Sequence, residues 1–282
     1  MEPVSTRRTT SYRGCSLSWF TRGEGPPVVM VQGTGVGALG WHPQVEGLSA
    51  HYQCLCFDNR GFGESQPFEG ALTVEAMAED VLALMDAQGW RSAHVMGHSL
   101  GGLVALYAAH KAPERMRSLS LLCTFPTGAI PTRMSPWMLW VGLRTMLGTR
   151  RMRRHAFLKL VLAPDELAAL ADGEARDTLA GQLAEFFGHD LAEQPPVAMK
   201  QFQAMRRADA TPFLGALGSI PTLVMNAEHD RIAPPFGGRT MAAGIPGARY
   251  VELPGRAHGV PMRCAAQVNA LLLEHLNAAE TR

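Results

Sequence analysis

The chain has 282 residues, 46% of them hydrophobic and 18% charged, with a formal net charge of +1. That length suits one large domain with room for an insertion, and the near-neutral balance gives no global pull toward nucleic acid or an anionic membrane. No apolar run approaches the ~18 residues of a membrane span, and residues 1–14 are polar and arginine-bearing, without the apolar core of a secretory signal.

Residues 9–21 alternate loosely and predict one or two early strands, followed by a continuous apolar run at 28–31 that reads as a strand covered on both faces. This run empties into the glycine-rich loop Gln32-Gly33-Thr34-Gly35-Val36-Gly37. A short helix over 41–48 and a buried strand over 52–57 lead to a second glycine-rich turn that contains Asp58, Arg60, Gly61 and Gly63. Apolar spacing at Val74, Met77, Val81, Leu82 and Met85 predicts a helix with Thr73 as its N-cap. Next come a strand over 92–96, the hexapeptide Gly97-His98-Ser99-Leu100-Gly101-Gly102, an uninterrupted helical stretch to His110, and a strand over 117–124. Strands alternating with helices imply a parallel sheet covered on both sides.

The alternation stops at Phe125. From there to Ala210 the pattern is helical and punctuated by prolines, and it resumes as strand over 220–225, helix over 236–243, strand over 248–252 and helix over 261–276. The expected organisation is therefore a core over 1–124 and 211–282, interrupted by a helical cap over 125–210. Five cysteines, odd in number and mostly inside apolar runs, read as reduced buried thiols and place the expected protein in the cytoplasm.

Ligands of open parallel sheets bind beyond the carboxyl ends of the strands. The loops there carry, in order, Gly33-Thr34-Gly35, Asp58 and Arg60, Ser99, Glu228-His229-Asp230 and His258. A serine held by glycines between strand and helix is a nucleophile elbow. Its hydroxyl needs a base, and the base needs a carboxylate to orient it. Ser99, Asp230 and His258 supply these in the chain order of an elbow-type hydrolase. Glu228 and Asp58 are the rival acids, and His229 is the rival base. His98 is expected to point away from the nucleophile, and Arg60 to be structural.

These motifs resemble the α/β-hydrolase superfamily, in particular its small carboxylesterases, lipases, enol-lactonases and haloperoxidase-like perhydrolases. The resemblance rests on Gly97–Gly102, on Asp58-Asn-Arg60-Gly61-Phe-Gly63-Glu-Ser65, on Asn226 through Pro234 around Asp230, and on Arg256-Ala-His258-Gly259. It implies an α/β-hydrolase fold, with a mostly parallel sheet under an inserted helical cap. It also implies an oxyanion hole made by the backbone amides of Thr34 and Leu100. Gln32 departs from the family pattern, standing where a histidine usually precedes Gly33. The implied activity is hydrolysis of a hydrophobic carboxylic ester through an acyl-enzyme on Ser99. Perhydrolase, lactonase and acyltransferase are the alternatives with the same triad, and a non-catalytic receptor is the reading from another class.

No metal is expected, because no His, Cys, Asp or Glu cluster has ligand spacing. No cofactor is expected either, since the glycines from Gly33 to Gly37 do not form a dinucleotide fingerprint leading into a helix. Within the cap, Trp137, Trp140, Val141, Leu143 and Leu147 recur at helical spacing, flanked by Met134, Met138 and Met146. Phe125, Trp137, Met138 and Trp140 are the expected substrate pocket. Arg150, Arg151, Arg153 and Arg154 either neutralise the acidic half of the cap, residues 165–193, or receive an anionic carrier or lipid headgroup.

Overall fold

The computed structural model describes residues 6–133, 135–170 and 172–281. Among them, eight strands form one sheet: β1 (Arg8–Tyr12), β2 (Cys15–Arg22), β3 (Pro27–Val31), β4 (Gln53–Phe57), β5 (Ala93–His98), β6 (Met116–Leu122), β7 (Thr222–Ala227) and β8 (Arg249–Leu253). Their order is β1-β2-β4-β3-β5-β6-β7-β8. The first two strands are antiparallel to their neighbours, and β4 through β8 pair in parallel. The loosely alternating segment resolves into two strands because Arg13 and Gly14 turn the chain with positive φ angles of 42° and 70°.

Strand β3 is apolar at every position, and β4 at every position but Gln53, because both faces are covered. Val29, Val31, Leu55 and Val95 face one cluster with Val81, Leu84 and Leu103, from helices α2 (Val74–Ala87) and α3 (Leu100–Lys111). Their chain neighbours Val28, Met30, Cys54 and Met96 face the other. That second cluster packs on Val45 and Leu48 of α1 (His42–Leu48) and on Val268, Leu272 and Leu276 near the C terminus. The period of two along each strand is thus read by two separate cores. Thr73 caps α2, its side chain accepting from the Ala76 amide at 3.1 Å.

Six helices follow β6: α4 (Ala129–Thr132), α5 (Pro136–Met146), α6 (Arg150–Val161), α7 (Pro164–Ala169), α8 (Gly173–Phe187) and α9 (Pro196–Arg207). They carry a small core of their own that includes Leu158, Val161, Leu179, Leu183 and Phe187, closed against Val36 of the first glycine-rich loop. The cap leaves and rejoins the sheet through a narrow neck. There the Gly128 amide donates to Ala208 O at 3.0 Å and the Ala210 amide to Pro126 O at 2.7 Å, around a bridge between Thr127 and Asp209.

The chain closes with α10 (Pro235–Gly244), α11 (Val260–Arg263) and α12 (Ala265–Glu280). The single terminal helix expected over 261–276 is therefore two, because Cys264 takes a non-helical backbone with φ −127° and ψ 36°. Apolar periodicity does not register a one-residue break between two helices that share a buried face.

Candidate active site

Ser99 sits between β5 and α3 with φ 54° and ψ −121°, outside the regions comfortable for a residue with a side chain. Close approach of backbones on either side makes this turn possible. A Cβ at Gly97 would run into the backbone of Gly101 and Gly102, and one at Gly101 into the backbone of Val31 and Gln32. The strained residue is held by its own main chain, since its amide donates to Leu122 O at 3.0 Å and its carbonyl accepts from Thr124 Oγ1 at 2.6 Å. Strain of this kind persists only where its surroundings over-determine it.

Asp230 and His258 meet from the loops after β7 and β8. His258 Nδ1 lies 2.7 Å from Asp230 Oδ2, while Asp230 Oδ1 accepts the Ile232 and Ala233 amides, each at 2.8 Å. Burial alone would push this carboxyl up, but His258 and the two amides together hold it below its ordinary value. A carboxylate so held fixes Nδ1 as the protonated nitrogen and leaves Nε2 as the available base. Both Ser99 and His258 open into one cavity of about 280 Å³.

The rivals are otherwise engaged. Asp58 accepts the Ala38 amide at 2.7 Å and pairs with Arg7 at 2.7 Å, and Glu228 accepts the Gly255 amide at 2.8 Å from an exposed position. His229 is exposed. Arg60 forms a buried two-pronged pair with Asp80, at 2.6 and 2.5 Å, away from the cavity.

The glycine-rich loop after β3 is braced from several sides. Gly33 presses against Ser99, where an added Cβ would lie 3.1 Å from the serine Cβ. Gln32 folds back, its Oε1 accepting the Gly33 amide at 3.2 Å while its carbonyl accepts from Asn59 Nδ2 at 2.9 Å. Thr34 lies on the cavity wall, and Leu100 is the first residue of α3, where helix amides have no intrahelical acceptor. The cap reaches this loop directly: the Gly35 amide donates to Gln201 Oε1 of α9 at 2.8 Å, and His189 Nε2 lies 2.8 Å from Gly35 O. It also holds the loop of His258, where the Gly259 amide donates to Val161 O at 2.9 Å.

Two expectations need correction. First, His98 does not turn away. It lines the cavity, its ring lies 4.8 Å from that of His258, and its Nε2 bonds to His258 O at 3.1 Å. A carbonyl accepts only, so Nε2 carries the proton. Nδ1 is then a buried lone pair without a partner. Burial, and next the charge of His258, push this imidazole down to about 3.

Second, of the four residues expected in the pocket, only Met138 lines the cavity. Phe125 is fully buried in the core beneath, Trp137 lies under the Arg231 guanidinium at 4.1 Å, and Trp140 is 51% exposed. Met134 lies outside the described residues. The wall is built instead by residues that include Phe157, Leu183, Phe187, Phe202 and Met205. Their faces could not be ranked without knowing what each cap helix covers.

Three of the arginines of α6 follow the first of their two expected roles and pair across the cap. Arg154 grips Asp190 at 2.7 and 2.8 Å, Arg150 reaches the same carboxylate, and Arg151 pairs with Asp177 at 2.8 Å. The acidic half of the cap supplies both partners, and Arg153 is left half-buried.

Folding does gather His98, Cys123 and His258, whose ligand atoms lie within 4.8 Å of one another. Burial, and then Asp230, hold the Cys123 thiol well above its usual range.

A strained serine at an elbow, an acid-fixed imidazole and a helical cap over parallel strands define a hydrolase of the α/β class. Residues 26–262 match the family model described as alpha/beta hydrolase fold, and the chain belongs to this family. RutD of Klebsiella pneumoniae, which carries a carbamate-hydrolase name, is 30% identical over 254 residues, spanning 90% of this chain and 92% of its own. The enol-lactonase of Burkholderia xenovorans superposes with a TM-score of 0.78 at 26% identity, over 96% of this chain and 100% of that one. A thermophilic esterase of Thermogutta terrifontis does so with a TM-score of 0.76 at 28% identity, over 98% and 99%.

Proposed function

We propose that the protein hydrolyses a compact, apolar carboxylic ester through an acyl-enzyme on Ser99. The observation that carries this reading is the pairing of His258 Nδ1 with Asp230 at 2.7 Å beside a nucleophile-elbow serine in one shared cavity. His258 Nε2 takes the proton of Ser99 Oγ as the oxygen attacks the carbonyl carbon, and Asp230 stabilises the imidazolium that forms. The Thr34 and Leu100 amides receive the oxyanion, each worth a factor of ~10²–10³ in rate. His258 then protonates the leaving alcohol, and water activated by the same nitrogen releases the acid.

A cavity of about 280 Å³ lies at the lower edge of ligand-pocket sizes, commonly ~300–1,000 Å³. With mostly apolar walls, it favours a short acyl group over a long chain. The relatives' names, for carbamate, enol-lactone and ester, share an acyl carbon bonded to oxygen, which supports the reaction class and leaves the leaving group as a second variable.

A panel of esters graded in acyl length, with a lactone and a carbamate beside them, tests the proposal. Short-chain esters are expected to turn over best, Ser99→Ala to lose ~10⁴-fold or more, and an active-serine phosphonate to label Ser99. Near-normal ester turnover by Ser99→Ala would sink the mechanism, and preferential turnover of the carbamate would replace the substrate class.

A further inference from the structure

Helix α5 is apolar on both sides. Its inner face sends Val141 and Thr145 into the cap and sets Met138 and Gly142 on the cavity wall. Its outer face carries Leu139, Trp140, Leu143 and Met146, continued by Leu147, and these five are 51–68% exposed. At 100° per residue they occupy one contiguous arc opposite the buried one. Met152, also exposed, extends the patch, its side chain lying against Gly148 just beyond the helix. Contiguous exposed apolar surface of this extent marks an interaction face.

The rim of this face is positive. Arg144 flanks Trp140 on the helix, Lys159 of α6 holds its ammonium 5.0 Å from the Trp140 ring centre, and Arg133 precedes the helix in an exposed position. Among the described residues none of these three forms an ion pair, in contrast to Arg150, Arg151 and Arg154. No aspartate or glutamate occurs between Glu114 and Asp165. A two-fold contact with a second copy would set this positive rim against itself. An apolar stripe with an aromatic at its edge and cations beside it matches a helix lying in the headgroup layer of an anionic bilayer.

We propose that the outer face of α5 docks the protein on anionic phospholipid membranes, with Leu139, Trp140, Leu143 and Met146 dipping below the headgroups and Arg133, Arg144 and Lys159 meeting their phosphates. The same helix forms the wall of the catalytic cavity on its other side, so docking brings membrane-partitioned substrates within about one helix diameter, ~10 Å, of the site. The docking itself does not depend on the ester reading.

Co-sedimentation of the full chain with vesicles tests it, comparing phosphatidylcholine alone with phosphatidylcholine containing phosphatidylglycerol. Binding is expected only with the anionic lipid and is expected to weaken as salt is raised. Arg144→Gln and Lys159→Gln are each expected to weaken it about fivefold, and Trp140→Ser with Leu143→Ser roughly tenfold or more. The surface charge variants keep the test valid should the apolar pair disturb folding. Absence of binding to the anionic vesicles, binding indifferent to phosphatidylglycerol, or binding retained by all of these variants would overturn the proposal. So would a monomer–dimer equilibrium, in a protein that ignores vesicles, abolished by Trp140→Ser with Leu143→Ser; the face would then be a self-association surface.

Discussion

Replacing His98 with glutamine should flatten the pH dependence of stability on the acid side of neutrality. The native imidazole is neutral and pushed from 6.5 to about 3, by burial first and the charge of His258 second. In the unfolded chain it regains an ordinary value. A folded-state value lowered in this way means that the unfolded chain binds the extra proton. Stability is therefore full above the unfolded value and lost progressively as pH falls from about 6.5 toward about 3. Integrating that difference from about pH 7 to about pH 5 gives a loss of about 2 kcal/mol from this one residue. Glutamine keeps an N–H donor for the His258 carbonyl but does not titrate. His94, pushed by burial to about 4, contributes a similar slope in both proteins and cancels in the comparison. Urea unfolding of the two proteins at both pH values provides the measurement. The variant should lose about 2 kcal/mol less on acidification, and parallel losses would refute the claim that His98 is held neutral in the fold.

Asp230→Asn leaves His258 without the acceptor that fixes its tautomer, and steady-state kinetics should show a fall of ~10⁴-fold in kcat with little change in KM. Gln201→Ala frees the Gly35 amide 2.8 Å away on the oxyanion loop. It should lower kcat by roughly tenfold through misplacement of the Thr34 donor, and an effect confined to KM would argue against that. Arg60→Met strands Asp80 as a buried charge, at a cost of about 3–5 kcal/mol in urea unfolding that a second change, Asp80→Leu, should largely relieve. Met138→Ala removes side chain from the cavity wall and should shift the preferred ester toward a longer acyl chain, with a change of about tenfold or more in relative kcat/KM. An unchanged ranking would remove Met138 from the pocket.

How much could be read from the residues followed from how local each constraint is. The elbow was legible because the close backbone approaches at Gly97 and Gly101 admit no Cβ, and that requirement is written in six consecutive residues. The sheet was legible because runs such as Val28 to Val31 are apolar without alternation, which only a doubly covered strand allows. His98 was not, since the turn of the elbow breaks the in-and-out rule at the one position where it was applied, and the ring swings onto His258. The cavity wall was not legible either. Trp137 and Trp140 fixed the period of α5 but not its orientation, and Leu139, Trp140, Leu143 and Met146 of that helix face outward. The arginines of α6 found Asp177 and Asp190 across at least twenty residues of intervening chain, a pairing that spacing alone does not encode.

The neck at Thr127 and Asp209 brings the cap's two ends within hydrogen-bonding reach of each other. Seen from the sheet, the whole excursion of six helices occupies the place of a tight loop between β6 and the segment leading to β7. Its length and content can therefore change without shifting any strand register, leaving Ser99, Asp230 and His258 on the same floor. Any replacement inherits one obligation from the floor: it must offer acceptors for the Gly35 and Gly259 amides, which this lid supplies through Gln201 and Val161.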